Sequence, residues 1–292
     1  MQGLIIGNIS NIYMVKSENR LYECTARGKF KREEITPVVG DNVEFDRLDE
    51  KESLGVIGKI EPRKNYLKRP KMSNLSQILL VLSCKSPKPD LLLLDKQLAF
   101  AEFISIKPVI ILNKMDLAND KINQIYELYT KIGYTVIKTE AKNKVGIEKV
   151  KQVLKNQISV FSGNSGVGKS TLINAIFQEV ITKEGKVSQK NQRGKNTTTA
   201  IRLYELDENS YIADTPGFST FDVYEIPSQE LEKYFIEFKP HIKQCEFVGC
   251  THQKEQLCGI KQGVNQGEIA EERYQRFLKI YEELKKKEEY RW

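Results

Sequence analysis

Nine consecutive residues, Gly163-Asn164-Ser165-Gly166-Val167-Gly168-Lys169-Ser170-Thr171, have the types and spacing to hold a polyphosphate. They fit G-x-x-x-x-G-K-[ST], in which the glycines let backbone N–H groups wrap an anion and a following helix adds its dipole. In that chemistry Lys169 reaches the β- and γ-phosphates and the Ser170 hydroxyl ligates Mg²⁺. The motif needs a strand before it and a helix after it. Ile158, Val160 and Phe161 read as a short buried strand, and Leu172, Ile173, Ile176 and Phe177 recur at helical spacing. A chance match in a chain of this length is on the order of one in a hundred, so with the right flanks the phosphate-binding reading outweighs that of a glycine-rich turn.

A second set of residues has the chemistry to read a purine. Val109-Ile110-Ile111-Leu112 is a buried-strand pattern that ends in Asn113-Lys114-Met115-Asp116. A carboxylate at 116 can accept hydrogen bonds from guanine N1–H and from its exocyclic amine. Adenine offers neither donor and would leave Asp116 desolvated and unpaired. The Lys114 stem can lie along the base, and Asn113 can brace the loop. Downstream, Thr139-Glu140-Ala141-Lys142 stands where guanine-nucleotide proteins often carry Ser-Ala-Lys; Ala141 and Lys142 fit, and Glu140 replaces the serine. These residues imply GTP or GDP as the ligand. An ATPase or kinase is disfavoured by Asp116.

Two further segments suit a nucleotide switch. The basic stretch 183–195 leads into Thr197-Thr198-Thr199. One of these hydroxyls can ligate Mg²⁺ beside a γ-phosphate; the sequence leaves open which, and Thr198 is carried as the candidate. Tyr211-Ile212-Ala213 reads as a strand ending in Asp214-Thr215-Pro216-Gly217, where Asp214 would hold Mg²⁺ and the Gly217 N–H would sense the γ-phosphate. Phe218 stands where many GTPases place a water-orienting glutamine, so slow isolated turnover and acceleration by a partner are expected.

Cys245, Cys250, His252 and Cys258 lie within 14 residues. Three thiolates and one imidazole complete a closed tetrahedral shell for one structural Zn²⁺, with no open position for a metal-bound water. Five cysteines, an odd number with three crowded together, point to a reducing compartment and not to a disulfide framework. His241, just upstream, is expected at the surface or as a cap.

The elements that must position these groups can be read in outline. Residues 1 to about 66 hold short strands at 4–6, 13–15, 21–24, 42–45 and 55–58 with no helical periodicity, as in a small barrel of the OB-fold kind. Cys24 falls inside a strand and is expected in the core. Residues 62–72 read as a basic linker. Strands at 78–82, 109–112 and 135–137 then alternate with helices at 91–103, 119–131 and 147–155, which predicts a mainly parallel sheet. Cys84 is expected to pack near that sheet. At the C-terminal end Ala270, Tyr274, Phe277, Tyr281 and Leu284 form the apolar stripe of an amphipathic helix. The 292 residues carry 40% hydrophobic and 29% charged side chains, ordinary for a globular protein, and a net charge of +7 that permits a polyanionic partner. The stretch MQGLIIGNIS has no basic n-region or long apolar run, and no segment reaches the length of a membrane span, so a cytoplasmic location is expected.

The order of these motifs is unusual. In most GTPases the phosphate loop precedes the base-reading loop, whereas here Asn113 precedes Gly163 by 50 residues. Joining the old termini and breaking the chain elsewhere preserves the spatial arrangement, because domain termini often lie close together. With this permuted order, the Asn113–Asp116 and Gly163–Thr171 loops, the threonine run, Asp214–Gly217 and the cysteine cluster, the chain closely resembles the RsgA (YjeQ) family of circularly permuted GTPases. The resemblance implies a multidomain α/β protein: an OB-fold barrel over 1–66, a circularly permuted P-loop GTPase domain over 67–222, and a zinc-binding, helical domain over 223–292. It implies binding to the small ribosomal subunit and its rRNA late in maturation, with hydrolysis stimulated by the subunit. The expected chain is a monomer with neither DNA nor membrane as partner. The family usually has a histidine just before the threonine run; Asn196 stands there, and asparagine cannot act as a general base at neutral pH. The alternative is a GTP-gated RNA-binding placeholder in which hydrolysis is incidental.

Overall fold

Alternating apolar residues at the N-terminal end pair into a barrel in the computed structural model, which describes residues 1–32, 35–48, 53–184, 201–214 and 225–290. Strands β1 (Gln2–Ile9), β2 (Ile12–Ser17), β3 (Arg20–Ala26), β4 (Asn42–Arg47) and β5 (Leu54–Ile60) neighbour one another in the order β1-β2-β3-β5-β4, with a single helical turn α1 (Lys29–Arg32) after β3. β4 pairs back onto β1 through Gly3 and Val43, which closes the ring. β3 and β5 are parallel and the remaining pairs antiparallel. This is the expected OB-fold arrangement. Every second residue points inward, so Ile5, Tyr13, Val15, Tyr22, Val43, Phe45 and Ile57 are buried, and Cys24 is buried with them.

The stretch read as a basic linker is instead structured. β6 (Tyr66–Lys68) and β7 (Lys71–Ser73) form a hairpin. Arg63 is tied inward: its Nε and Nη2 donate to the two carboxylate oxygens of Asp41 at 2.7 and 2.8 Å. Asp41 is fully buried and also accepts the Ser73 hydroxyl and the Val38 N–H. A carboxylate taken out of water needs this density of donors, and residue spacing along the chain carries no sign of it.

Beyond the hairpin the chain runs through β8 (Gln77–Ser83), α2 (Leu91–Phe103), β9 (Lys107–Asn113), α3 (Asp120–Ile132), β10 (Thr135–Lys138), α4 (Ile147–Leu154), β11 (Ile158–Ser162) and α5 (Lys169–Glu184). It continues through β12 (Arg202–Asp207), β13 (Ser210–Asp214), α6 (Lys239–Ile242), α7 (Gly259–Asn265) and α8 (Glu271–Glu289). All seven residues of β8 are buried, the mark of a strand covered on both faces. Cys84 directly after it is also buried.

Two compact units emerge. The first comprises Met1–Leu79, Ala141–Ser162 and Lys169–Phe218; the second comprises Leu80–Glu140, Gly163–Gly168 and Ser219–Trp292. In the first, β11 pairs in parallel with β13, β13 antiparallel with β12, and β12 with the barrel strand β1. In the second, β9 and β10 are parallel, and α2 packs with α8.

The second unit is held by a buried charge network. Arg273 of α8 pairs with Asp95 of α2 and with Glu237, and its guanidinium lies 4.6 Å from the centre of the Phe235 ring. Arg276 Nε and the Tyr129 hydroxyl each donate to Asp95 at 2.5 Å. Asp95 and Arg273 are respectively 0% and 1% exposed. Burial opposes the charge on Arg273, yet Asp95 and Glu237 hold its guanidinium well above its ordinary pKa. Asp95→Ala leaves the largely buried Arg276 guanidinium without this carboxylate and Arg273 with Glu237 alone, so a loss of about 3–5 kcal/mol is expected as a lowered urea midpoint at unchanged slope.

The amphipathic stripe of α8 faces this unit's own core: Tyr274, Phe277, Tyr281 and Leu284 pack with Phe235, Phe238, Ile260 and Ile269. Ala270 is the N-cap and not part of the helix. His241, expected at the surface or as a cap, is buried in the last turn of α6 with its Nε2 3.4 Å from a Glu268 carboxylate oxygen and its ring against Gly263. The tight approach of α7 at glycine positions decides that burial, which no helical spacing announces.

Candidate guanine-nucleotide site and metal centre

The phosphate loop and the base-reading loop are connected by direct hydrogen bonds. Asn113 ends β9 as a buried side chain, and its Nδ2 donates to Val167 O at 3.0 Å. Its Oδ1 accepts the Thr139 hydroxyl at 3.1 Å, which orients the amide. Lys114 has a left-handed backbone, φ 64° and ψ 45°, and caps a 3₁₀ turn over Met115–Leu117. Its ammonium donates to Gly166 O at 2.7 Å and to Ser86 O. The Met115 N–H donates to Thr139 O at 3.1 Å, which anchors the turn to the end of β10. Residues about 50 apart in sequence thus form one hydrogen-bonded cluster.

Glycine is required where the loops touch. Gly168 has φ +99°, and a Cβ there would lie 2.3 Å from Asn113 Nδ2. Gly163 has φ +141°, and a Cβ there would lie 2.2 Å from Val81 O. A side chain at 163 would meet the Val81 backbone, one at 168 would displace the Asn113 amide, and the positive φ strains any other residue at both positions.

Each remaining candidate residue has its own local setting. Asn164, Ser165, Gly166 and Val167 lie in the loop, with Ser165 and Gly166 exposed and Val167 buried. Lys169, Ser170 and Thr171 open helix α5, with the Ser170 and Thr171 side chains exposed. Partial burial lowers the Lys169 pKa, a cost that an anionic phosphate would offset. Asp116 is exposed on its turn; Ala141 is buried and Lys142 exposed on a 3₁₀ turn over Ala141–Asn143. Asp214 ends β13 and is exposed. Ser170 and Asp214 offer hard oxygen donors of the kind Mg²⁺ takes. Thr197, Thr198, Thr199, Asn196, Gly217 and Phe218 lie outside the described residues.

Cys245, Cys250, His252 and Cys258 converge so that their ligand atoms all lie within 4.8 Å of one another. His252 Nδ1 is 3.7 Å from Cys245 Sγ and 3.2 Å from Cys258 Sγ. A tetrahedral ion with bonds of roughly 2.3 Å to sulfur and 2.0 Å to nitrogen spaces its ligands about 3.5–3.8 Å apart, so the donor set fits zinc. Burial pushes the Cys250 thiol up to about 12 and raises Cys258, so in the absence of a metal both carry protons that an ion must displace.

Several supporting roles around the metal cluster escaped sequence reasoning. Glu232 Oε2 lies 2.5 Å from His252 Nε2, the carboxylate–histidine arrangement that leaves Nδ1 free as a ligand. It sits 20 residues upstream with no spacing signal. The Tyr274 hydroxyl donates to His252 O at 2.5 Å. Burial alone would raise the Glu255 carboxyl, but hydrogen bonds from backbone N–H groups and the Thr251 hydroxyl bring it down to about 2 and fix the ligand loop. Thr139 stands in its motif without an assigned role; its hydroxyl at a strand end, two residues before Ala141, is the clue to its bond with Asn113.

Comparison with known proteins places these features in context. A family model described as RsgA GTPase matches residues 60–224, and one described as RsgA N-terminal domain matches residues 2–57. A curated relative from Ruminiclostridium cellulolyticum, named small ribosomal subunit biogenesis GTPase RsgA, is 41% identical over 97% of this chain and 93% of its own. The protein of the same name from Clostridium acetobutylicum is 41% identical over the full length of both. Among solved structures, YjeQ from Thermotoga maritima superposes with a TM-score of 0.85 at 37% identity, covering 97% of this chain and 98% of its own. YloQ, described as a circularly permuted GTPase, superposes with a TM-score of 0.82 at 34% identity, covering 98% and 95%.

Proposed function

Because the chain belongs to the RsgA family of GTPases, we propose that it acts in biogenesis of the small ribosomal subunit, binding the subunit and its rRNA in the GTP state. The subunit stimulates hydrolysis to GDP and phosphate, and hydrolysis drives release. The observation that carries this reading is the hydrogen-bonded union of Asn113 and Lys114 with Val167 and Gly166.

Each residue then has a task. Asp116 selects guanine, and Ala141 and Lys142 complete the base pocket. The backbone from Gly163 to Gly168 wraps the phosphates, and Lys169 offsets their charge. Ser170, Asp214 and a hydroxyl of the 197–199 run, with Thr198 the candidate, hold Mg²⁺, whose charge favours the phosphate-rich transition state. Gly217 reports the γ-phosphate. Cys245, Cys250, His252 and Cys258 hold one structural zinc. The domains run 1–66, 67–222 and 223–292, and the protein works as a cytoplasmic monomer.

GTP turnover measured with and without purified small subunits, across a salt series, tests the reading. Stimulation that fades as salt rises is expected, because phosphate-backbone contacts release counterions. Turnover indifferent to the subunit, or ATP competing as well as GTP, overturns it. Asn196 and Phe218 in place of a histidine and a glutamine favour one second reading, a GTP-gated placeholder with incidental hydrolysis. Release from the subunit that proceeds equally with a hydrolysis-resistant GTP analogue would support it.

A further inference from the structure

The turn between β8 and α2 enters the site through the Ser86 carbonyl that accepts the Lys114 ammonium, and Ser83 stands behind that carbonyl. Ser83 is the hydroxyl that ends a strand apolar from Ile78 to Leu82, and it is 1% exposed. A hydroxyl buried there carries a desolvation penalty unless it finds a partner. It donates to Ser86 O at 2.8 Å. The same carbonyl accepts the Lys114 ammonium, so both of its lone pairs are engaged. The second acceptor of that ammonium is Gly166 O in the phosphate loop. Pro87 comes next, its Cδ 3.7 Å from where Gly166 would carry a Cβ. Three chain segments, 83–87, 113–116 and 163–168, therefore meet at one ammonium. Backbone bonds hold the Lys114 main chain at the start of its 3₁₀ turn, and these tethers on its ammonium fix where the side chain reaches.

We propose that Ser83 is a positioning residue for nucleotide binding: it fixes the Ser86 carbonyl, which holds Lys114, which keeps the base-reading loop in register with the phosphate loop. This rests on the reading that the site takes a guanine nucleotide. Ser83 touches no nucleotide itself, and its effect passes through Lys114.

The test is the dissociation rate of a fluorescent GDP analogue from the full-length protein by stopped flow. A neutral hydrogen bond of ordinary strength corresponds to a rate increase of about 3- to 10-fold for Ser83→Ala. Ser83→Thr, which keeps the hydroxyl, should stay within about 2-fold of the parent. A purely structural role would act regardless of Lys114, so the cycle with Lys114→Met decides. In that background Ser83→Ala should change the rate by less than about 2-fold. An equal increase in both backgrounds, or no increase in the parent background, overturns the proposal. Should Ser83→Ala fail to fold, Ser83→Cys, a weaker donor, carries the same cycle: a faster rate in the parent background alone supports the proposal, and any other pattern overturns it. If the parent protein shows no preference for GDP over ADP, the guanine reading itself falls and this proposal with it. A normal GDP preference with an additive cycle removes the Ser83 assignment alone.

Discussion

Asp116→Asn is expected to weaken GTP and GDP binding by about 10²- to 10³-fold and to create a preference for xanthine nucleotides. In the proposed site the carboxylate would accept two hydrogen bonds from guanine, each charge-assisted and worth about 1.5–3 kcal/mol. Asparagine keeps one acceptor and turns the other position into a donor facing the guanine amine. Xanthine has a carbonyl in place of that amine and would satisfy the asparagine donor. Because Asp116 is exposed on its turn, the substitution should move stability by only about 0.5 kcal/mol, far less than the binding change. The two effects are therefore separable. Competition of GDP, xanthosine diphosphate and ADP against a fluorescent analogue, beside a thermal melt, reads both. GDP binding within a few-fold of the parent would remove Asp116 from the base pocket.

Loss of the metal should have the largest structural consequence. Structural zinc contributes an apparent binding free energy of about 10–16 kcal/mol, as large as the whole stability of a typical domain, about 5–15 kcal/mol. Cys250 and Cys258 also belong to the apolar cluster with Phe238, Tyr274 and Phe277, so the ligands and the core are one structure. Cys258→Ser, or chelation, is expected to abolish the cooperative urea transition of the C-terminal helical segment and to expose it to protease. The parent should carry one zinc per chain by elemental analysis. Glu232→Gln should leave the fold intact but lower zinc affinity by about 10- to 100-fold, since the amide holds the imidazole less firmly. Metal-free protein with an unchanged urea midpoint would refute the structural role.

Whatever depended on local pattern was legible in the sequence alone. Short alternating or clustered apolar runs gave the barrel strands, and the strand–helix alternation that follows placed α2 over Leu91–Phe103 as observed. The ligand set Cys245, Cys250, His252 and Cys258 was legible because its members crowd into 14 residues. The strand-loop-helix context of residues 163–171 was legible because the motif and its apolar flanks lie in one run. In each case the physical constraint acts between neighbours along the chain, so residue type and spacing record it.

Only the tertiary structure decided the contacts between distant segments. The bonding of Asn113 to Val167, the tether from Ser86 to Lys114, the carboxylate of Glu232 on His252 and the burial of Arg273 against Asp95 join residues 20 to 178 positions apart. A buried polar group must find a partner, but the chain records only that it is polar, not which segment packing will bring to it. The same limit explains why residues 62–72 read as a linker and His241 as a surface or capping residue: Arg63 is held by the buried Asp41, and α7 packs against His241 at its glycines. Residue chemistry declared what this protein can bind; three-dimensional packing chose which side chains hold the binding loops in place.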